Sequence, residues 1–129
     1  MKSAFTYAAI VGSGGFFGAL ARYGLAGMVQ RTLPLSIFPY GTLAVNLLGC
    51  FAIGVLSGLA EGRQLLGPEL RAFLLIGLLG AFTTFSTFSY ETFAMLRDGE
   101  YVPALANLTV HLVAGLVLVW LGYSLTTWR

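Results

Sequence analysis

Long apolar stretches separated by short polar links make up the chain. Four of the stretches reach the roughly 20 residues that cross the apolar core of a bilayer, and they cover residues 4–29, 37–60, 71–95 and 103–125. Each link contains proline or glycine, the residues that most often end helices. The pattern predicts an all-α membrane protein in which residues 1–129 form one domain of four transmembrane helices, with both termini on the same side.

The amino-acid composition excludes a soluble globular domain. Of the 129 residues, 57% are hydrophobic and only 9% are charged, whereas soluble domains carry about 25% charged residues. A chain of this length has too small a core to bury so much apolar surface, so we expect membrane lipid, and no nucleic acid, as its surroundings. The single cysteine and single histidine exclude an internal disulfide and a cluster of His and Cys metal ligands within one subunit.

The N-terminal stretch also has some features of a cleaved secretory signal. Lys2 precedes an apolar run, and the small residues Ala19 and Ala21 match a cleavage site. However, the glycine-rich segment at residues 12–15 interrupts this run, and apolar residues continue beyond Arg22. These features favour a retained first helix over a signal peptide.

Positive charges indicate only weakly which way the chain inserts. The side with the termini and the middle link would carry four cations, Lys2, Arg63, Arg71 and Arg129. The other side would carry two, Arg31 and Arg97, or three if Arg22 lies near the helix end. An excess of Lys and Arg normally marks the cytoplasmic side. This small bias leaves two interpretations open, a single orientation or insertion both ways with an antiparallel dimer about a two-fold axis in the membrane plane.

Small residues and one cation share a face of the first predicted helix. At about 100° per residue, that face holds Gly12, Gly15, Gly18, Ala19, Arg22 and Ala26. Small residues allow helices to approach closely in lipid. A cation within a span is costly, so Arg22 should have a partner or a water-filled vestibule, unless its side chain extends to the membrane interface.

Isolated polar residues lie inside the second and fourth predicted helices. Asn46 and, one turn before it, Thr42 interrupt an apolar span, and a buried Asn must use its amide donors. Those donors could join helices or face an anion. On the fourth helix His111 aligns with Asn107, which suits either a proton-sensitive site or a neutral, hydrogen-bonded packing residue.

The third predicted helix contains the segment "GLLGAFTTFSTFSYET" at residues 77–92. Gly80 weakens a helix, and the hydroxyls that follow it can satisfy carbonyls released by a break, so we expect the helix to be broken near its middle. Beyond that point Phe85 and Phe88 share one face, while the neighbouring face holds Thr84, Thr87 and Glu91.

These faces favour a narrow pathway for an anion. The candidate donors are Thr42, Asn46, Ser86 and Thr87, and phenyl rings add electropositive edges. A cation path would require carboxylates or carbonyls, yet Glu91 is the only acidic residue that flanks this region. Four short helices cannot enclose a wide lumen. The pattern therefore points to a small, strongly hydrated anion without naming it.

Three motifs identify a family. The segments "GGFFGALARY" (residues 14–23), "YGTLAVNLLGCF" (residues 40–51) and "GLLGAFTTFSTFSYET" resemble the CrcB, or Fluc, family of fluoride channels, and the similarity covers the whole chain. The resemblance implies a channel rather than an enzyme, in the cytoplasmic (inner) membrane of a prokaryote, that passively exports toxic fluoride. It also implies a dual-topology, antiparallel homodimer with two pores and a central structural sodium ion.

The resemblance also assigns roles to individual residues. Asn46 matches the pore asparagine, and Phe85 and Phe88 match phenylalanines whose ring edges face fluoride. The carbonyls at Gly80 and Thr83 match the sodium site at the helix break. Further matches are the vestibule arginine Arg22, the polar track of Thr42, Ser86, Thr87 and Glu91, and the fourth-helix positions Asn107 and His111, where some members carry Tyr and Ser.

Two other classes of function compete with a fluoride channel. A dual-topology, proton-coupled exporter of small cations or drugs has a similar size, but it needs an ionisable residue in a mid-span cavity, and Glu91 lies toward a helix end. A pure assembly module is the other alternative, and the dense array of hydroxyls and phenyl rings argues against it.

Overall fold

The computed structural model describes residues 3–62 and 64–128, and within them every regular element is a helix. Four helical spans are long and apolar enough to cross a membrane: Ala4–Thr32 (α1), Tyr40–Gly62 (α2), the third span Pro68–Arg97, and Tyr101–Thr127 (α5). The predicted all-α fold with four membrane-spanning helices is therefore confirmed. Of the cations counted for orientation, Lys2, Arg63 and Arg129 lie outside the described residues.

The third span consists of two helical segments. The first, α3 (residues 68–82), has π-helical hydrogen bonding over Ala72–Leu79 between two short α-helical turns. The second, α4, covers Phe85–Arg97. Between them the backbone is extended, with ψ of 159° at Thr83 and φ of −150° at Thr84.

Proline decides where α1 ends and α2 begins. The residue before a proline is disfavoured in the helical region, and α1 stops at Thr32 with the non-helical Leu33 just before Pro34. The second helix begins at Tyr40, three residues later than the predicted start at residue 37. The delay follows from Pro39, because Phe38 before it lies in a turn in which its N–H donates to Ser36 Oγ at 3.1 Å.

The link between α4 and α5 is a glycine-terminated helix end. Gly99 has φ of +81°, the left-handed conformation that glycine adopts without steric cost. The Glu100 N–H donates to the Met95 carbonyl at 2.8 Å and the Gly99 N–H to the Leu96 carbonyl at 3.2 Å, the paired bonds of a Schellman motif. Here the hydrogen bond from Arg97 holds the pKa of the Asp98 carboxyl below its ordinary value.

Glycines set the helix spacing. A Cβ at Gly18 of α1 would collide with the Leu78 carbonyl of α3, and one at Gly122 of α5 would collide with the Phe51 carbonyl of α2. Close helix contact through small residues was predicted for α1. The buried glycines of α1 are Gly18, which belongs to the predicted face, and Gly14, which does not. Gly12, assigned to that face from the sequence, has open space where its side chain would be, because α3 crosses α1 on the side of Gly14.

Large apolar side chains cover the outside of the helices. Phe16 is 62% exposed and Trp120 is 65% exposed, whereas a soluble monomer rarely exposes contiguous apolar patches of large area. This surface requires lipid or another protein chain.

Candidate functional site

The side chain of Asn46 binds the extended backbone between α3 and α4. Its Nδ2 donates to the Thr84 carbonyl at 3.0 Å, and its Oδ1 accepts the Thr84 N–H at 2.8 Å. Both residues are buried. A buried backbone group without a partner is costly, so Asn46 replaces the hydrogen bonds that Thr84 loses by leaving the helix. One N–H of the Asn46 amide remains for another acceptor.

Thr84 also begins α4. Its Oγ1 accepts the Thr87 N–H at 3.2 Å, the usual hydrogen bond of a helix N-cap, and its hydroxyl donates to Thr87 Oγ1 at 2.9 Å. The first N–H groups of α4, which have no acceptor within the helix, therefore lie close to Asn46. Hydrogen-bond donors are thus concentrated at the junction of α3 and α4.

The extended backbone at residues 83 and 84 also changes the hydrogen bonding of the Gly80 and Thr83 carbonyls. In a continuous α-helix the Thr84 N–H would donate to the Gly80 carbonyl, but here it donates to Asn46. The Thr83 carbonyl accepts from Arg22 Nη1 at 3.4 Å, and the Thr83 hydroxyl donates to the Leu79 carbonyl at 3.1 Å. Gly80 itself remains helical, so the extended residues are the two that follow Phe82.

Two phenyl rings line a cavity next to this junction. The cavity has a volume of about 340 Å³, and its lining includes Asn46, Thr83, Thr84, Phe85, Phe88 and His111. The Phe85 and Phe88 rings lie with centroids 5.6 Å apart and planes at 52°. Phe88 is 6% exposed, whereas Phe85 is 78% exposed. The predicted common face therefore has one ring inside the chain and one on its surface.

Polar side chains continue from this cavity along α4. The Thr42 hydroxyl donates to Glu91 Oε1 at 2.8 Å. Asn107, which is fully buried, donates from Nδ2 to Thr92 Oγ1 at 2.9 Å, and the Thr92 hydroxyl donates to the Phe88 carbonyl at 2.8 Å. These bonds join α4 to α2 on one side and to α5 on the other.

Three buried polar atoms lack a hydrogen-bond partner within the part of the chain that the structure describes. They are Glu91 Oε2, Asn107 Oδ1 and His111 Nε2. Each belongs to a residue that was predicted to face the pathway. Unpaired buried polar groups are rare and call for a ligand, water or ion.

Arg22 lies at a second cavity of about 310 Å³, which also has Thr42, Thr84 and Thr87 in its lining. The side chain is half-buried and reaches the Thr83 carbonyl. Arg22 therefore has a hydrogen-bond partner inside the protein, and its place in a water-filled vestibule stays a prediction.

The family is decided by comparison with known proteins. The model of the family described as "CrcB-like protein, Camphor Resistance (CrcB)" matches residues 9–123. The chain belongs to this family.

Individual CrcB relatives agree along nearly their whole length. A protein of Nitratidesulfovibrio vulgaris (strain Miyazaki F) named "Fluoride-specific ion channel FluC" is 49% identical over 113 residues, which are 88% of this chain and 90% of the relative. A relative with the same name in Pelobacter propionicus is 46% identical over 95% of this chain and 91% of its own length. Another in Methylobacillus flagellatus is 44% identical over 90% of this chain and 91% of its own length. The resemblance seen in the motifs is confirmed. These relatives are named as ion channels and not as enzymes, and together with the four apolar helices they identify an integral membrane protein.

In this CrcB-like chain most of the predicted site residues lie together. One cavity is bordered by Asn46, Gly80, Thr83, Phe85, Phe88 and His111. The other is bordered by Arg22, Thr42 and Thr87. Ser86 is exposed on α4. No group of three or more His, Cys, Asp or Glu side chains that could hold a metal is present among residues 3–62 and 64–128.

Two residues of the site carry functions that the sequence did not reveal. Thr84, whose backbone Asn46 binds, was assigned only to a polar face, although a Thr just before an apolar segment is a signal for a helix start. Thr92 joins Asn107 to the Phe88 carbonyl. No sequence signal gives that contact, since it depends on how α5 packs against α4.

Proposed function

We propose that this chain is a fluoride-selective channel that passively exports toxic fluoride across the cytoplasmic membrane of a prokaryote. The relatives named as fluoride-specific ion channels support the choice of ion. The observation that carries the proposal is the pairing of Asn46 with the Thr84 backbone. It places an amide donor and the start of α4 at one cavity with two phenyl rings.

Those groups are suited to an ion that must lose its water. A small anion gives up hydration only where donors replace it, and pore selectivity depends on the groups that line the path. The remaining Asn46 N–H offers a donor, and the rims of Phe85 and Phe88 offer the electropositive edges of the rings. Beyond them Ser86, Thr87 and the Thr42–Glu91 pair would form a polar exit.

A second copy of the chain would complete the pathway. Phe85 is 78% exposed in a single chain, so half of the predicted ring face has no wall within one subunit. We propose an antiparallel, dual-topology homodimer with two pores, in which the interrupted third spans of both subunits contribute rings to each pore. The weak charge bias between the two sides of the chain supports insertion in both directions.

We also propose that the carbonyls at the interruption hold a structural sodium ion. The Gly80 carbonyl has lost the N–H of Thr84 that a continuous helix would supply, and main-chain oxygens are hard ligands of the kind that alkali cations accept in channels. The Thr83 carbonyl already accepts from Arg22 but has a second lone pair. Gly80 and Thr83 would hold the ion, whose charge would offset part of the cost of an anion in a medium of low dielectric.

Fluoride efflux from liposomes tests the function. Vesicles with purified protein and internal potassium fluoride should release fluoride as soon as valinomycin lets potassium follow, and vesicles with internal chloride should retain it. Equal release of fluoride and chloride would contradict selectivity. A proton-coupled exporter of small cations would instead release no fluoride and would need a proton gradient for its own substrate, so the same vesicles separate the two classes.

A further inference from the structure

His111 is the only histidine in the chain, and it lines the cavity that contains Asn46 and both phenyl rings. Its Nδ1 lies 3.0 Å from the carbonyl oxygen of Asn107. A carbonyl oxygen only accepts hydrogen bonds, so Nδ1 must carry a proton. In the neutral imidazole the other ring nitrogen, Nε2, is then a bare acceptor.

This bare nitrogen is in an unusual environment. Nε2 is buried and has no hydrogen-bond partner among the described residues. The ring is held in place by two contacts. Its Nδ1 is hydrogen-bonded to the Asn107 carbonyl one turn earlier on α5, and the ring packs on Phe88 with centroids 4.3 Å apart and planes at 39°. A lone pair at this position repels an anion. A second proton would convert Nε2 from an acceptor into a charged donor without moving the ring.

We propose that His111 is a proton-dependent anion-binding group, which donates from Nε2 to the permeating anion only after taking up a proton from water. The Nδ1 proton stays on Nδ1 and is donated to the Asn107 carbonyl throughout. Only Nε2 gains or loses a proton, and this proton stays on the ring while fluoride ions pass, so conduction still moves net charge. An anion in the site favours the protonated ring, and a protonated ring favours the anion. Hydrogen bonds from a charged donor are about twice as strong as those from a neutral one. The proposal rests on the fluoride channel function and specifies how this chain tunes it.

Other titratable groups on the elements that pack against α5 must be separated from His111. They are Tyr40, Cys50 and Glu61 on α2 and Tyr90, Glu91 and Arg97 on α4. Cys50 lines the same cavity as His111. Glu91 is the other group of this set with a buried atom that lacks a partner. A pH dependence therefore has two candidate origins, His111 and Glu91, which variants can distinguish.

The experiment measures fluoride efflux from liposomes between about pH 5.5 and about pH 7.5, the range in which histidine titrates. The efflux rate of the parent protein should fall about tenfold as the pH rises across this range. A factor of ten corresponds to about 1.4 kcal/mol of anion binding. His111→Gln keeps an amide donor but cannot titrate, so its rate should not change with pH. Protein-free vesicles give the leak of undissociated acid, which is subtracted. Glu91→Gln should keep the pH dependence, whatever its absolute rate.

Proton uptake gives a second, direct measurement. Sodium fluoride added to the detergent-solubilised dimer in weak buffer should raise the pH reported by an indicator dye, and sodium chloride should not. The His111→Gln protein should give no signal. A parent that conducts fluoride at a rate independent of pH, or a pH dependence that persists in His111→Gln and vanishes in Glu91→Gln, overturns the proposal and leaves the channel function intact. No fluoride efflux from the parent at any pH overturns both.

Discussion

Asn46 satisfies both backbone groups of Thr84, so one side chain fixes where α3 stops and α4 begins. The same amide keeps one N–H for a ligand. Of the two roles that the sequence left open for Asn46, these hydrogen bonds show the joining of helical segments, and the role of facing an anion stays a prediction. A substitution at this residue is therefore expected to affect both the shape of the third span and the donor set of the pathway.

The substitution Asn46→Asp should stop fluoride flux. Asp keeps the acceptor for the Thr84 N–H but cannot donate to the Thr84 carbonyl or to an anion, and its carboxylate would repel fluoride. Thr84→Ser is the matched control, since its backbone and hydroxyl are kept, and it should conduct close to the parent. Efflux and gel filtration measure flux and dimer content. Full flux in Asn46→Asp would reduce Asn46 to a residue that only joins helices.

Substitutions of Phe85 and Phe88 can distinguish a packing role of the rings from direct contact with the anion. Packing requires volume and apolarity, so Leu should replace Phe with little loss, whereas an anion site requires the ring edge. We expect Phe85→Leu and Phe88→Leu to assemble as dimers and lose most of their fluoride flux, and the polarisable Met to retain more.

The exposure of the two rings makes this comparison stricter. Phe85 is largely exposed in the single chain, whereas Phe88 packs against His111. A loss of stability from lost packing is therefore expected mainly at Phe88. If Phe85→Leu conducts fluoride like the parent while remaining dimeric, the ring is not part of the pathway.

At the scale of the elements, composition and proline explain the helices, and the contacts between them explain the site. Apolar length was enough to predict four spans. Pro39 explains why α2 starts three residues later than predicted, and α3 starts three residues earlier than predicted, at Pro68, because proline is favoured in the first turn of a helix. The pairing of Asn46 with Thr84 could not be predicted, because it joins a helix to an extended residue 38 positions further along the chain. Its geometry depends on the distance between spans, which the glycine contacts set.

The glycine contacts give a prediction for α1. Gly18→Ala places a methyl group against the Leu78 carbonyl, whereas Gly12→Ala meets open space. Overpacking costs about 1–3 kcal/mol, so Gly18→Ala should lower the midpoint of thermal unfolding in detergent. Gly12→Ala should match the parent or exceed it, because Ala is the better helix former. The same midpoint for both variants would show that α1 does not approach α3 as closely as the structure has it.

At the scale of the whole molecule, apolar side chains such as Phe16, Trp120 and Phe85 remain exposed in the single chain. Lipid or another protein chain would cover them, and the proposed second copy would cover Phe85. The small difference in positive charge between the two sides of the chain leaves the orientation of each copy open.

The proposed antiparallel dimer can be tested by labelling. A single cysteine added at the C-terminus of a Cys50→Ala background should react with an impermeant maleimide from both sides of the membrane in roughly equal amounts. A parallel dimer or a monomer of fixed orientation would be labelled from one side only. Cross-linking before labelling shows whether oppositely oriented copies belong to the same dimer.

The proposed sodium ion predicts a stability that depends on the cation. Replacing sodium with a large organic cation should lower the thermal midpoint of the detergent-solubilised dimer, and restoring sodium should recover it, since a ligand bound only to the folded state stabilises it. Thr83→Ala keeps the main-chain oxygens and should retain this response. Equal midpoints with and without sodium would exclude a structural sodium site at Gly80 and Thr83.

The most direct test of passive, fluoride-selective conduction is an electrical recording from purified protein in a planar bilayer. With a fluoride gradient across the membrane and chloride added to equalise ionic strength, the account predicts a steady current that reverses at the equilibrium potential for fluoride. Reversal at the potential for chloride or for the cation, or no current while fluoride still crosses in vesicle assays, would contradict it.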